Sequence, residues 1–132
     1  MTTDGYLLDT NILIGFFTKQ PETLALLTKV KKSGPMFTSL LAVAEIRTGW
    51  NEKDTQAYLP TLYALFEPIG ISPAIAELAG AWRREYKERG ITLSSIDTLI
   101  AATAYEYRLA LVTRNRKHFP MSEVTLYPEA LA

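Results

Sequence analysis

Apolar and polar positions along this chain alternate between two textures. Short apolar runs, Tyr6-Leu7-Leu8, Met36-Phe37-Thr38 and Leu109-Ala110-Leu111-Val112, are separated by longer stretches in which apolar residues return every three or four positions. The runs suit strands and the stretches suit helices, which is the pattern of an α/β domain with a mostly parallel sheet.

Start and stop signals sharpen the picture. The first run stops at Asp9-Thr10-Asn11, and a short helix follows through Ile12-Leu13-Ile14 and Phe16-Phe17. Pro21 suits the first turn of a second helix, in which Leu24, Leu27 and Lys31 fall at helical spacing before Ser33-Gly34-Pro35 ends it. Ser39 is an N-cap candidate for a helix to about Thr48, closed by Gly49. Residues 53–66 are helical in pattern, with Pro60 a point of kinking or splitting. Ile69 and Ile71 allow a third strand, and Ser72-Pro73 then open a long amphipathic helix to about Arg89, ended by Gly90. Ser94 or Ser95 starts another helix, with Ile96, Leu99, Ile100, Ala104 and Tyr107 as its expected buried stripe. A last alternation, Val124-Thr125-Leu126-Tyr127, suggests an edge strand before Pro128.

Composition narrows the chemistry. At 132 residues and 48% hydrophobic, the chain is expected to form a single domain over residues 1–132 with a core of its own. It has no Cys and one His, His118, which excludes cysteine chemistry and the usual zinc sites. No glycine-rich phosphate loop, dinucleotide turn or nucleophile elbow is present. The start of the chain lacks the pattern of a secretory signal and no run is long enough to span a membrane, so the expected setting is cytoplasmic, with no membrane partner. Carboxylate chemistry or plain binding remains.

In an open parallel sheet the strand C-termini and the helix N-termini share one edge, where ligands bind. Asp9 ends the first strand, Asp97 lies in the first turn of the helix after Ser94, and Asn115 follows the strand through Thr113. Glu45 lies six residues past Ser39, roughly 9 Å down its helix, where a long side chain still reaches the rim. Like charges gathered this way need a cation, and oxygen ligands without Cys or His select a hard one, Mg²⁺ or Mn²⁺. Such an ion polarises a phosphodiester and activates water, the chemistry of a metal-dependent nuclease.

Each residue also has a plain structural use. Asp9 can cap the next helix, Ser94-Ser95-Ile96-Asp97 fits a capping box, Glu45 suits the border of an apolar stripe, and Asn115 suits a turn. His118 is expected exposed in a basic loop. The charge balance is zero overall but uneven: residues 83–118 hold eight basic and four acidic residues, whereas residues 36–82 hold two basic and five acidic ones. A local basic excess is the footprint of phosphate binding and equally of a solvated helix face.

Four segments together resemble the motifs of PIN-domain ribonucleases, closest to the VapC-type toxins: Tyr6-Leu7-Leu8-Asp9-Thr10-Asn11-Ile12-Leu13-Ile14; Glu45 within Ala42-Val43-Ala44-Glu45-Ile46-Arg47-Thr48-Gly49; Asp97 within 95–104; and Leu111-Val112-Thr113-Arg114-Asn115-Arg116-Lys117-His118-Phe119. The resemblance spans nearly the whole chain. It implies a Rossmann-like three-layer α/β/α fold around a central, mostly parallel sheet, a Mg²⁺- or Mn²⁺-dependent endoribonuclease acting on RNA, a homodimer, and a cognate VapB-like antitoxin that blocks the site. Carried over by motif, Asp9, Glu45 and Asp97 are the implied metal ligands, and Asn115 joins them in the catalytic set. Thr10, Asn11, Thr113, Arg114, Arg116 and His118 are supporting or substrate-binding. The last motif departs from the family pattern, because many members carry Asp where Asn115 stands, and toxins with the Thr-Arg-Asn sequence often carry a further Asp where this chain has His118. One ion rather than two is therefore expected.

Two alternatives accompany this expectation. A haloacid-dehalogenase-like phosphatase also begins with a strand ending in Asp, but needs a second Asp where Asn11 stands. A PIN-like module that only binds RNA or protein is the other.

Overall fold

The computed structural model describes residues 3–128. Its strands are β1 (Gly5–Leu8), β2 (Met36–Ser39), β3 (Glu67–Ile69) and β4 (Leu109–Val112). Its helices are α1 (Thr10–Phe17), α2 (Pro21–Ser33), α3 (Leu40–Thr48), α4 (Glu52–Leu65), α5 (Pro73–Glu88) and α6 (Ser95–Glu106). Every strand pairing is parallel, in the order β3-β2-β1-β4.

Successive side chains of a strand point to opposite faces, and this period divides the core in two. Leu7 and Leu111 join Ile75, Trp82 and Tyr86 of α5 and Ile100 and Ala104 of α6 on one face. Leu8 and Val112 join Ile12, Leu13, Leu27, Val30, Val43 and Leu62 from α1 to α4 on the other. The result is the expected α/β/α sandwich, with β4 buried along its whole length.

The helices start where the sequence places their caps. Ser39 Oγ accepts from Leu41 N–H at 3.1 Å, Ser72 Oγ from Ile75 N–H at 3.2 Å, and Ser94 Oγ from Asp97 N–H at 3.3 Å. Each such cap is worth about 1 kcal/mol. Pro21 stands in the first turn of α2, and Gly90, at φ +80°, takes up the left-handed turn after α5. Pro60 leaves α4 unsplit.

Several boundaries differ from the sequence expectation. The third strand is Glu67–Ile69, because β2 ends at Ser39, the partner of Ile69, and leaves nothing for Ile71 to pair with. Ile71 is exposed. Residues 124–127 contribute one parallel bridge, Leu126 to Leu111, in place of a strand; Leu111 N–H donates to Thr125 C=O and Tyr127 N–H to Leu111 C=O, each at 2.8 Å. Helix α6 is buried on more than a stripe, with Thr98, Ala101, Ala102 and Thr103 enclosed between sheet and α5, while Tyr107 caps it in solvent. In α2 the inward face is Thr23, Leu26, Leu27 and Val30, and Leu24 is exposed.

That rotation of α2 is fixed by a close approach to α1. A Cβ built on Gly15 would lie 2.4 Å from Thr23 Oγ1, and both residues are buried. Gly15→Ala is therefore expected to cost about 1–3 kcal/mol, read as a lower melting temperature. Thr23→Ala in the same chain is expected to restore most of the loss, since Thr23 Oγ1 has no hydrogen-bond partner to forfeit.

Candidate active site

Strands β1 and β4 end level, with Leu8 opposite Val112. The next residues, Asp9 and Thr113, therefore stand side by side, and Asp9 N–H still donates to Val112 C=O at 3.0 Å. The chain leaves β1 outward through β2 and β3 and returns on the other side as β4, so this is the point where the strand order reverses. A crevice at the carboxyl ends of the strands is where such sheets bind ligands.

Asp9 is only 4% exposed, yet its carboxylate is held by three donors. Oδ1 accepts from Thr10 N–H at 2.8 Å as the N-cap of α1, while Oδ2 accepts from Thr113 Oγ1 at 2.7 Å and Asn11 Nδ2 at 3.3 Å. The capping use and the site use of Asp9 coexist, one oxygen serving each. Asn11 Oδ1 in turn accepts from Arg114 N–H at 3.2 Å, and Thr113 Oγ1 accepts from Asn115 N–H at 3.0 Å, tying the β1 and β4 loops together.

The other carboxylates approach from neighbouring helices. Glu45, exposed on α3, accepts from Thr10 Oγ1 at 2.5 Å. Asp97 sits in the first turn of α6, with its side chain 25% exposed and Oδ2 at 3.3 Å from His118 Nδ1. Burial raises the Asp9 carboxyl above the ordinary carboxylate range; the charges of Asp97 and Glu45 push the same way against the Thr113 and Thr10 hydrogen bonds. Burial also raises Asp97, with Glu45 adding to the shift and His118 opposing it. Each carboxylate thus lies within electrostatic range of the other two.

A family model for the PIN domain matches residues 6–123. The chain belongs to the PIN-domain family. Similar proteins include ribonuclease VapC10 of Mycobacterium tuberculosis, 30% identical over 128 residues covering 95% of this chain and 93% of the relative. Ribonuclease VapC1 of Methanocaldococcus jannaschii is 29% identical over 113 residues, 86% of this chain and 77% of its own. Among solved structures, a toxin-antitoxin complex from Klebsiella pneumoniae matches with TM-score 0.76 and 33% identity over 96% of this chain and 100% of that one. VapBC2 from Rickettsia felis, bound to a DNA fragment from their promoter, matches with TM-score 0.81 and 26% identity over 92% and 96%.

PIN-domain ribonucleases are in general dependent on divalent metal ions. The donors of this PIN domain suit a hard ion: they are carboxylate oxygens, two of them with protonation equilibria raised by burial and mutual repulsion. Among the described residues no three carboxylate or imidazole groups converge on one point; Glu45 is held by Thr10, and Asp97 lies against His118. A magnesium-sized ion needs only one or two carboxylates and keeps the rest of its shell as water, so the set fits.

The remaining candidates divide. Asn115 is exposed and brings its backbone N–H, not its amide, into the Asp9 network. His118 is exposed as expected, but it closes a short 3₁₀ turn, Arg116–His118, and faces Asp97 instead of solvent alone. Arg114 and Arg116 are anchored by Gln20 Oε1 and Tyr127 C=O, both at 2.6 Å. Nothing in the sequence marks Gln20 for that task. Arg83, Arg84 and Lys87 line one cavity with Thr92 and Leu93, next to the Ser94 cap, whereas Arg89 lies over the Tyr86 ring.

Both raised carboxyls bind protons more tightly in the folded state. Their contribution to stability is therefore full below the ordinary carboxylate range, near about pH 4, and is lost as pH rises through the raised values. Asp97→Asn is expected to raise the melting temperature at pH 7 in EDTA, with the gain shrinking as pH falls toward about 4. A lower melting temperature at pH 7 would mean that the His118 contact outweighs the repulsion.

Proposed function

We propose that this PIN domain, acting as a single unit over residues 1–132, is a Mg²⁺- or Mn²⁺-dependent endoribonuclease and the toxin of a toxin-antitoxin pair. The observation that carries this reading is the buried Asp9 carboxylate, fixed at the reversal point of the sheet with Asp97 and Glu45 in electrostatic range. Relatives bearing the ribonuclease name over nearly the full length of this chain support it. They also favour it over the phosphatase alternative, in which Asn11 would have to be acidic.

Asp9, Asp97 and Glu45 are the residues that would hold the ion, one or two of them directly and the rest through its water. A divalent ion there supplies polarisation of a phosphodiester and activation of water. Thr113 and Asn11 fix the orientation of Asp9, and Thr10 fixes that of Glu45. Arg116, anchored by Tyr127 C=O, and the exposed Lys117 offer cationic groups to RNA phosphates, and Arg114, held by Gln20, stands in the same loop. Phosphate contacts of this kind position the strand without reading its sequence.

The expected partners are RNA, a VapB-like antitoxin and a second copy of the chain in a homodimer. Complexes of toxin with antitoxin among the structural relatives support the antitoxin. The acidic site offers that antitoxin a place for an Arg or Lys side chain, since a guanidinium pairs bidentately with a carboxylate. The proposed setting is the cytoplasm; among the described residues no helix is long and apolar enough to cross a membrane.

Purified protein incubated with tRNA and rRNA fragments and Mg²⁺ or Mn²⁺ is expected to make discrete cuts that EDTA abolishes. Asp9→Asn should slow them by at least about 10²-fold, the scale for losing one preorganised electrostatic group. Cutting should weaken steeply with added salt as phosphate contacts are screened. A folded protein that neither cuts nor binds Mn²⁺ would instead be a binding module.

A further inference from the structure

A second feature adjoins the carboxylates. Thr10, Ile14 and Phe17 are spaced i, i+4, i+7 and so share one face of α1, which runs about 10 Å from the rim of the site. At the rim, Thr10 holds Glu45. Farther along, Ile14 and Phe17 enter the lining of a cavity of about 380 Å³ between α1, α3 and α4, which Glu45 also lines. Its other walls include Trp50, Tyr58 and the carboxylate residue Asp54.

The aromatic rings form a cluster. Phe17 meets Trp50 edge-on at 5.1 Å and Tyr58 at 5.4 Å, and Trp50 and Tyr58 are 5.6 Å apart. Trp50 is pinned by its backbone: its C=O accepts from Arg47 Nη1 at 2.8 Å and its N–H donates to Arg47 C=O at 3.2 Å. Asp54 is fixed in the first turn of α4, where its N–H donates to Asn51 Oδ1 at 2.8 Å. Ile14, at the mouth, is 45% exposed. The volume falls in the range of small-ligand sites, roughly 300–1,000 Å³.

The lining holds two carboxylate residues and no cationic side chain. A phosphate or an acidic peptide is therefore repelled. A flat, uncharged ring that carries N–H donors is matched on both counts, by a wall of half-buried aromatic rings and by a carboxylate that accepts from an exocyclic amino group. Glu45 lines the cavity and is also held by Thr10, whose N–H donates to Asp9, so a chain whose phosphate reaches Asp9 brings a flanking nucleoside toward its mouth.

We propose that the Phe17, Trp50 and Tyr58 cavity is a nucleobase subsite, which takes one unstacked base of single-stranded RNA beside the scissile phosphate and selects bases bearing an amino group through Asp54. This rests on the nuclease reading for the nature of the chain that enters. Uracil, which presents O4 in place of the amino group, is the disfavoured base.

The test is equilibrium binding of dye-labelled hexaadenylate, hexacytidylate and hexauridylate to the full chain in EDTA, by fluorescence anisotropy. Hexaadenylate and hexacytidylate are expected to bind more tightly than hexauridylate. Trp50→Leu should weaken hexaadenylate binding by roughly 5- to 150-fold, the loss of one stacked base. Asp54→Asn should bring the three RNAs to similar affinity, and it carries the test alone if thermal melting shows that Trp50→Leu does not fold. Equal affinity for the three RNAs in the parent, or unchanged hexaadenylate binding in folded Trp50→Leu, would overturn the proposal. Displacement of an arginine-bearing peptide, but not of RNA, by the same substitution would overturn it in favour of a protein side chain as occupant. Cleavage that still requires Asp9 in either failure would leave the nuclease reading standing. RNA binding that requires Trp50 without any cleavage would leave the subsite and remove the nuclease.

Discussion

The buried carboxylate of Asp9 is the constraint around which the rest of the site is arranged. A charged group this far from water is tolerated only when its oxygens are well supplied with donors, and here a backbone N–H, a hydroxyl and an amide provide them. Each donor comes from a different level of organisation. The N–H exists because α1 begins immediately after β1, the Thr113 hydroxyl because β4 ends level with β1, and the Asn11 amide because the first turn of α1 folds back over the strand end. The parallel register of two short strands is thus what makes an acidic site at that edge tolerable.

The donors satisfy Asp9 without neutralising the neighbourhood. Asp97 and Glu45 still raise the free energy of its ionised form, and the described side chain that opposes this charge most directly is His118, across from Asp97. Thr10 plays a double part, donating its backbone N–H to Asp9, the N-cap of α1, and restraining Glu45 through its hydroxyl. Two acidic residues on different elements are thereby held by one small residue between them. The arrangement keeps the carboxylates close enough to repel one another, and among the described residues the repulsion is met by neighbouring donors instead of by a lysine or arginine in direct contact.

Much of this was legible in the sequence because it depends on local signals. Ser39, Ser72 and Ser94 announce their helices through a hydroxyl that accepts a backbone N–H, a job that needs no tertiary partner. The four motif segments indicated the PIN domain for the same reason, since Asp9 and Asn115 follow strand ends and Glu45 and Asp97 lie within the first two turns of their helices. What was not legible depends on pairing across the chain. The shift of β3 to Glu67–Ile69 follows from where β2 stops, and the broad burial of α6 follows from its position between the sheet and α5. The anchoring of Arg114 by Gln20 joins residues 94 positions apart, and the aromatic cluster draws Phe17, Trp50 and Tyr58 from separate elements. Spacing along the chain carries no information about such meetings.

The segment after β4 has a consequence for how copies of this chain can meet. Residues 125 to 127 take the N–H and C=O of Leu111 that would otherwise face outward from the sheet. At the opposite margin β3 is three residues long and contains Pro68, which has no N–H to offer. Both borders are therefore poor templates for another strand, and the hazard of open-ended sheet growth is blunted at each. Sheet extension is thereby disfavoured, and contact between copies through helix surfaces and loops closes on a finite assembly instead of propagating as a ribbon.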